Sequence, residues 1–218
     1  MGFLDGRLSD SGWRILIVGT GGQGVLSAAR LLCDSLVELG HCVVSGQLHG
    51  MAQRGGSVES SVIIDGGISP VIPSNGADFI LGFEPVETAR ALPFMSSHTV
   101  VYMNTAPVIP YILGQRTVLK EGHDKYPDVR ELSESIRGVT TRIFSLDATC
   151  HAVRVGSARA LNLVMLGCLI GYGSLPCTVE DLSKTIARRM PAASKETNNR
   201  ALLLGVELVR DFRLTENG

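Results

Sequence analysis

Apolar and polar positions along this chain switch between two periods, and the switches lay out alternating strands and helices. Arg14-Ile15-Leu16-Ile17-Val18 is a short β-branched and apolar run, which predicts the central strand of a parallel sheet, buried on both faces. A glycine turn, Gly19 to Gly24, follows it. Val25, Ala29, Leu32, Leu36 and Leu39 then recur at spacings of four and three, the stripe of a helix that stops at Gly40. His41 to Ser45 reads as a second strand, so the opening is a strand–glycine turn–helix–strand unit of about 30 residues.

Gln47 to Gly56 follows neither period and reads as a polar, glycine-rich loop. Ser57 to Ile64 alternates toward Asp65-Gly66-Gly67, a hairpin-like turn, with Ile68 to Ile72 as a short returning strand stopped by Pro73. Ala77 to Phe83 and Thr99 to Asn104 are expected strands, with a helix over Pro85 to Phe94 between them. An irregular stretch from Pro107 to Lys125 precedes a helix over Val129 to Arg137 and a strand over Arg142 to Leu146. From Ala148 onward the chain reads as helical, over Ser157 to Tyr172, Val179 to Met190 and Lys195 to Phe212. Thr178 and Asp181 form a capping box with Asp in place of Glu. The expected fold class is α/β: Rossmann-like, a mostly parallel sheet with an inserted β-hairpin and a C-terminal helical segment. One domain of residues 1–218 is expected, with its core at 14–150 and helices at 151–212 packing on it.

Composition narrows the function classes. Of 218 residues, 44% are hydrophobic and 19% charged, enough for a sizeable core. A mean hydropathy of +0.22 points to apolar surface facing a partner. Net charge is −1 with no extended basic block, so neither nucleic acid nor a membrane is an expected partner. Leu161 to Tyr172, the most apolar run, is too short to span a bilayer, which needs roughly 20 residues. Met1 to Ser11 lacks an apolar signal core, and a cytoplasmic location is expected. Cys33, Cys42, Cys150, Cys168 and Cys177 contain no C-x-x-C pair, the spacing iron–sulfur and structural zinc sites draw on; buried thiols in a reducing compartment are the expectation.

Two loops carry candidate chemistry. Gly19, Gly21, Gly22, Gln23 and Gly24 sit where a strand enters a helix, so backbone amides at a helix N-terminus could cradle a phosphate. A dinucleotide site also wants an acid at the end of the second strand, to hold the ribose. Val44, Ser45 and Gly46 stand there instead, which weakens the NAD reading. The loop is left with two readings: a cradle for some phosphate-bearing group, or backbone geometry alone. His49, Gln53 and Arg54, flanked by Gly55 and Gly56, form the second loop. Its guanidinium suits a carboxylate or phosphate, or else a carboxylate across an interface.

Other motifs assign no catalytic residue and no metal ligand. No serine lies in a G-x-S-x-G elbow, and the five histidines include no H-x-x-x-H pair. Glu84 and Glu87 flank a helix start, where a structural role is expected. Met51, Met95, Met103 and Met165 read as packing, and Gly167-x-x-x-Gly171 as a close helix approach.

"VGTGGQGV", "HGMAQRGGSVESSV", "ADFILGFEPVETARALPFM", "YMNTAPVIP" and "ARALNLVMLGCLIG" follow one another in the order found in the gamma-type subunit of 2-oxoacid:acceptor oxidoreductases, and the chain resembles that family from about Arg14 to Val209. "HGMAQRGGSV" looks most like the beta subunit of indolepyruvate:ferredoxin oxidoreductase. The resemblance implies a heteromeric complex that decarboxylates an arylpyruvate oxidatively, makes an aryl-acetyl-coenzyme A and reduces ferredoxin. It implies that thiamine diphosphate and the iron–sulfur clusters belong to a partner alpha subunit, with no cofactor firmly in this chain, which is expected to be inactive alone. The matching residues are Gly19, Gly21, Gly22, Gln23 and Gly24, and His49, Gln53, Arg54, Gly55 and Gly56, the latter as a substrate, coenzyme A or interface loop. A stand-alone Rossmann-like dehydrogenase, a nucleotide-sensing or assembly module, and a homodimer of the isolated chain stay open.

Overall fold

The structure, a computed structural model, describes residues 12–49, 55–108 and 126–216, the side chains of 48–49 and 211–216 excepted. The expectations for Met1 to Ser11, Met51, Gln53, Arg54 and residues 109–125 lie outside the described residues.

Six strands form one sheet: β1 (Trp13–Thr20), β2 (Val43–His49), β3 (Ser57–Ile64), β4 (Phe79–Gly82), β5 (Val100–Asn104) and β6 (Ile143–Leu146). Their order is β2-β3-β1-β4-β5-β6. β1, β4, β5 and β6 run parallel, whereas β3 is antiparallel to both β1 and β2. The inserted hairpin is therefore β2–β3, and it displaces the second strand from its usual place beside the first. Ile68 to Ile72 is not a strand, contrary to its apolar pattern. That stretch crosses the sheet: Pro70 packs on Gly46, the Ser61 hydroxyl donates to the Pro70 carbonyl at 2.6 Å, and Ile72 is buried. The pattern misleads because only one end of it is covered; Ile68 is 96% exposed.

Helices cover both faces of the sheet. Ile15 and Ile17 point to one core, shared with α1 (Val25–Glu38), α4 (Ala148–Val155), α5 (Leu161–Gly171), α6 (Val179–Arg189) and α7 (Lys195–Glu216). Leu16 and Val18 point to the other, closed by α2 (Pro85–Arg90) and α3 (Val129–Arg137) through Ala91 and Ile136. The helix expected over Pro85 to Phe94 is α2 followed by a 3₁₀ turn at Leu92–Phe94. Gly40 ends α1 at φ +89°, with its amide on the Val37 carbonyl and the His41 amide on Leu36, the bonding of a glycine-terminated helix. The Thr178–Asp181 capping box opens α6. α6 is tied to α1 by Arg189–Asp34 at 3.0 Å and by the Arg188–Glu38 pair.

α5 is buried from Leu161 to Ile170, so it lies inside the molecule, with α7 across it. A Cβ added to Gly167 would sit 2.2 Å from the Leu202 carbonyl oxygen, and one on Gly205 2.1 Å from that of Val164. The two helices thus cross backbone to backbone. Phe79, Tyr102 and Tyr172 meet edge to face beneath the end of α5, with centroids 6.3–6.4 Å apart. Two of the five cysteines, Cys168 and Cys177, are buried; Cys42 is exposed and Cys33 and Cys150 half-buried, which corrects the expectation that most are interior. Cys42 is exposed because it stands just before β2, an edge strand of the sheet.

Candidate functional site

α1 leaves β1 toward one face of the sheet and α2 leaves β4 toward the other, so a crevice opens at the carboxyl ends of these neighbouring parallel strands. That switch point is where open α/β sheets hold ligands. The glycine turn forms one wall. Gln23 bridges the crevice: its Oε1 accepts from the Thr20 amide at 2.8 Å and the Thr20 hydroxyl at 3.1 Å, and its Nε2 donates to the Phe83 carbonyl at 2.7 Å. The buried Asn104 also donates to that carbonyl, at 2.9 Å, and to Thr149 at 3.0 Å. Gln23 and Asn104 therefore tie β1, β4 and β5 together at their carboxyl ends.

The two loops singled out by sequence meet here. The Gly21 amide donates to the Gly56 carbonyl at 2.9 Å, and the β2–β3 pairing puts His49 opposite Val58 at the same end. A Cβ on Gly55, at φ +73°, would meet nothing within 4 Å among the described residues. Gln53 and Arg54 belong to the undescribed part of that loop. Gly22 (φ +102°) and Gly24 (φ +87°) take left-handed backbone that other residues rarely adopt, and a Cβ on Gly22 would meet nothing within 4 Å among the described residues. Gly24 is the N-cap of α1, yet no side chain caps that terminus and no acid lies in its first turn. Its leading amides are thus bare among the described residues.

Asn162, on the first turn of α5, was legible only as a break in an apolar run. It is 3% exposed, and its Cβ, Cγ and Nδ2 lie 3.2–3.4 Å from where a Gly24 Cβ would stand. Its Oδ1 has no hydrogen-bond partner among the described residues. Such an orphan on a buried side chain is unusual.

The opposite wall is acidic. Glu84, 1% exposed, caps α2 by accepting the Glu87 amide at 2.9 Å, and Tyr126 donates to its other oxygen. The Tyr126 phenol is pushed upward, first by burial and then by that carboxylate. Glu87 takes the Ser57 hydroxyl at 2.7 Å and Arg90 at 3.0 Å. Burial, with Glu87 nearby, raises Glu59. The structural roles expected of Glu84 and Glu87 hold.

The premise about the ribose acid changes. β2 runs on to His49, so Val44 to Gly46 are mid-strand, and β3 stands between β2 and β1. The residue paired with the end of β1 is Ser57. The nearest β3 carboxylate, Glu59, pairs with Val18 and belongs to the α2 side of the sheet. No group of three or more His, Cys, Asp or Glu that could hold a metal occurs among the described residues; the five cysteines lie on separate elements, a donor set that does not fit an iron–sulfur cluster. Among those residues no helix is long and apolar enough to cross a membrane.

Known proteins resemble this arrangement over nearly its whole length. The indolepyruvate oxidoreductase subunit IorB of Archaeoglobus fulgidus is 37% identical over 191 residues, 88% of this chain and 92% of that one. The gamma subunit of a keto/oxoacid ferredoxin oxidoreductase from Geobacter sulfurreducens superposes with a TM-score of 0.65 at 21% identity, covering 91% of this chain and 99% of its own. A 2-oxoglutarate:ferredoxin oxidoreductase from Magnetococcus marinus, solved with 2-oxoglutarate, coenzyme A and succinyl-CoA, shares the fold over 32% of its length at a TM-score of 0.68 and 14% identity, covering 93% of this chain. The family described as pyruvate ferredoxin/flavodoxin oxidoreductase matches residues 14–208, and the chain belongs to it as a subunit of a 2-oxoacid oxidoreductase.

Proposed function

We propose that this chain is the small subunit of a heteromeric, cytoplasmic indolepyruvate-type oxidoreductase, folded as one domain and inactive alone. The complex converts an arylpyruvate and coenzyme A to the aryl-acetyl thioester and carbon dioxide, with two electrons passing to ferredoxin. The observation that carries this reading is the match to indolepyruvate oxidoreductase subunits at 30–37% identity over 87–92% of the chain.

Thiamine diphosphate and the iron–sulfur clusters are assigned to the partner alpha subunit, which supplies the decarboxylation and the electron relay. This chain's part is to position. The glycine turn, with Gly19, Gly21, Gly22, Gln23 and Gly24, offers amides and the positive end of α1 to a phosphate such as those of coenzyme A. His49, Gln53, Arg54, Gly55 and Gly56 are assigned contact with substrate, coenzyme A or the partner, and Gly56 is joined to the turn by the Gly21 amide.

The test is to purify the chain alone and co-expressed with its thiamine-bearing partner, then follow viologen dye reduction with coenzyme A and a panel of 2-oxoacids. Activity is expected only in the co-purified complex and highest with indolepyruvate. Turnover by the isolated chain, or a preference for pyruvate or 2-oxoglutarate, would overturn the assignment.

A further inference from the structure

We propose that the outer edge of β2, with the groove between β2 and α1, is the docking site for an extended, acid-bearing segment of the partner subunit. The segment adds to the sheet as a further strand, and its carboxylate meets Arg30. The inference rests on reading this chain as one subunit of a heteromeric complex, and assigns that complex a contact.

The sheet ends on an open edge at β2, which has β3 as its one neighbour. The Asp65 amide donates to the Cys42 carbonyl at 2.8 Å, and the register goes on to pair Val44 with Ile63 and Gly46 with Ser61. In an antiparallel ladder the hydrogen-bonded pairs fall on every second residue. Val44 and Gly46, in step with Cys42, therefore turn their amides and carbonyls to β3. Those of Val43, Ser45 and Gln47 point outward and have no partner among the described residues. Exposed edges are ordinarily blunted by proline, lysine, a bulge or shortness. β2 has seven residues in unbroken register with no proline and no lysine, whereas β6, at the opposite edge, has only four.

The groove beside that edge selects the occupant. It has a volume of about 540 Å³ and is lined by Leu26, Ser27, Arg30 and Cys33 of α1 and by Ser45 and Gln47 of β2. Ser45 and Gln47 are also two of the residues with unpaired backbone, so a strand added there lays its alternate side chains into the groove. Arg30 is the one charged residue of the lining. It has no ion-pair partner among the described residues; Asp34, one turn on, is held by Arg189 at 3.0 Å. Burial pushes the Cys33 thiol up to about 11, so it brings no negative charge. A carboxylate on the incoming strand therefore complements the groove. A second copy of this chain does not supply one. β2 carries no acid, and pairing β2 on β2 sets the two Arg30 guanidiniums on the same face of the joined sheet.

Hydrogen exchange, read residue by residue by mass spectrometry, tests this on the full chain alone and on the complex co-purified with its thiamine-bearing partner. In the chain alone the Val43, Ser45 and Gln47 amides should exchange at once, while β3 protects Val44 and Gly46. In the complex the three should slow at least about tenfold, which makes protection continuous along β2. Two variants probe the edge and the groove separately. Gln47→Pro removes an outward donor without taking a bond from β3, and Gly46 before it has no Cβ to crowd the ring. Arg30→Glu reverses the charge of the groove. Each should weaken subunit association about tenfold or more while the isolated chain keeps the parent's Tm, and Arg30→Lys should retain most of the association. A complex that forms while these amides still exchange at once would overturn the docking site and leave the heteromeric reading standing. Unchanged association in Arg30→Glu would overturn the acidic occupant. Protection that appears in the isolated chain and grows with its concentration would put a second copy on the edge and overturn the proposal as well. Failure of any complex to form would remove the heteromeric reading and this inference with it.

Discussion

The crossing of α5 and α7 makes a sharp prediction, because an alanine that should help a helix must harm this one. In a free helix, Gly→Ala stabilises by about 1 kcal/mol through backbone entropy. At Gly205 the new Cβ would lie 2.1 Å from the Val164 carbonyl oxygen and 2.9 Å from both the Cys168 nitrogen and the Gly167 Cα. A comfortable carbon–oxygen contact is about 3.3 Å, so the deficit is about 1 Å, and every opposing atom is backbone with no rotamer to yield. α5 is buried along its length and backed by the sheet, so it cannot retreat without opening the core. Overpacking of this kind costs about 1–3 kcal/mol, and the rigid surroundings put Gly205 at the upper end. After the helix gain is subtracted, a net loss of about 2 kcal/mol remains, or about 4–8 °C in Tm for a chain of this size. Differential scanning calorimetry of Gly205→Ala beside Gly138→Ala checks it. Gly138 has ordinary helical φ and its closest contact is 3.3 Å, so alanine there should be neutral or slightly stabilising. A Gly205→Ala chain as stable as its parent would refute a backbone-to-backbone crossing.

Three further outcomes follow from the hydrogen bonds and thiols. Gln23→Ala loses two bonds to Thr20 and one to Phe83 at about 1 kcal/mol each, so urea unfolding should show a loss of about 3 kcal/mol; Phe83 keeps Asn104 and is not orphaned. The carboxyls of Asp181 and Asp65 are held below their usual range, the first chiefly by the Thr178 hydroxyl and the second chiefly by the His41 ring. Their folded values lie below the unfolded one of about 3.9, so their stabilisation is complete above that pH and is lost as pH falls through the lower folded values. The Tm gap between the parent and Asp181→Asn should therefore be constant from pH 7 to 5 and shrink below pH 4; a gap that widened in acid would contradict the assignment. Burial pushes the Cys33 thiol up to about 11 and the fully buried Cys168 higher still, whereas Cys42 is exposed. Iodoacetamide at pH 8, read by mass spectrometry, should label Cys42 first and Cys168 only on unfolding.

Local elements were readable from sequence, while neighbours were not. α3 falls on Val129–Arg137 as its pattern predicts, and the box at Thr178 opens α6 where the residues place it. These depend on contacts three or four residues apart, which periodicity records. The place of β3 depends on which strand it pairs with, and alternation in Ser57–Ile64 says only that a strand exists. The same limit misdirected the search for a ribose acid to Val44–Gly46, since that search assumed the second strand lies beside the first. Gln23 was part of a recognised motif, but its grip on Phe83 spans 60 residues. Asn162 meets Gly24 across an even longer stretch, and in an apolar run a single Asn carries no mark of what it faces.

The reversed strand also dictates the order in which this chain can fold. β1 pairs only with β3 and β4, and β2 only with β3. Among the described residues, none of the first 56 can therefore form a native strand pair, although two strands and the helix between them are already present. On the ribosome, β1, α1 and β2 must wait with their apolar faces uncovered until Ser57–Ile64 emerges, when both join the sheet through the same strand. A nascent chain stalled before Ser57 should be sensitive to protease throughout, and one stalled well past Ile64 should gain protection in β1 and β2 together.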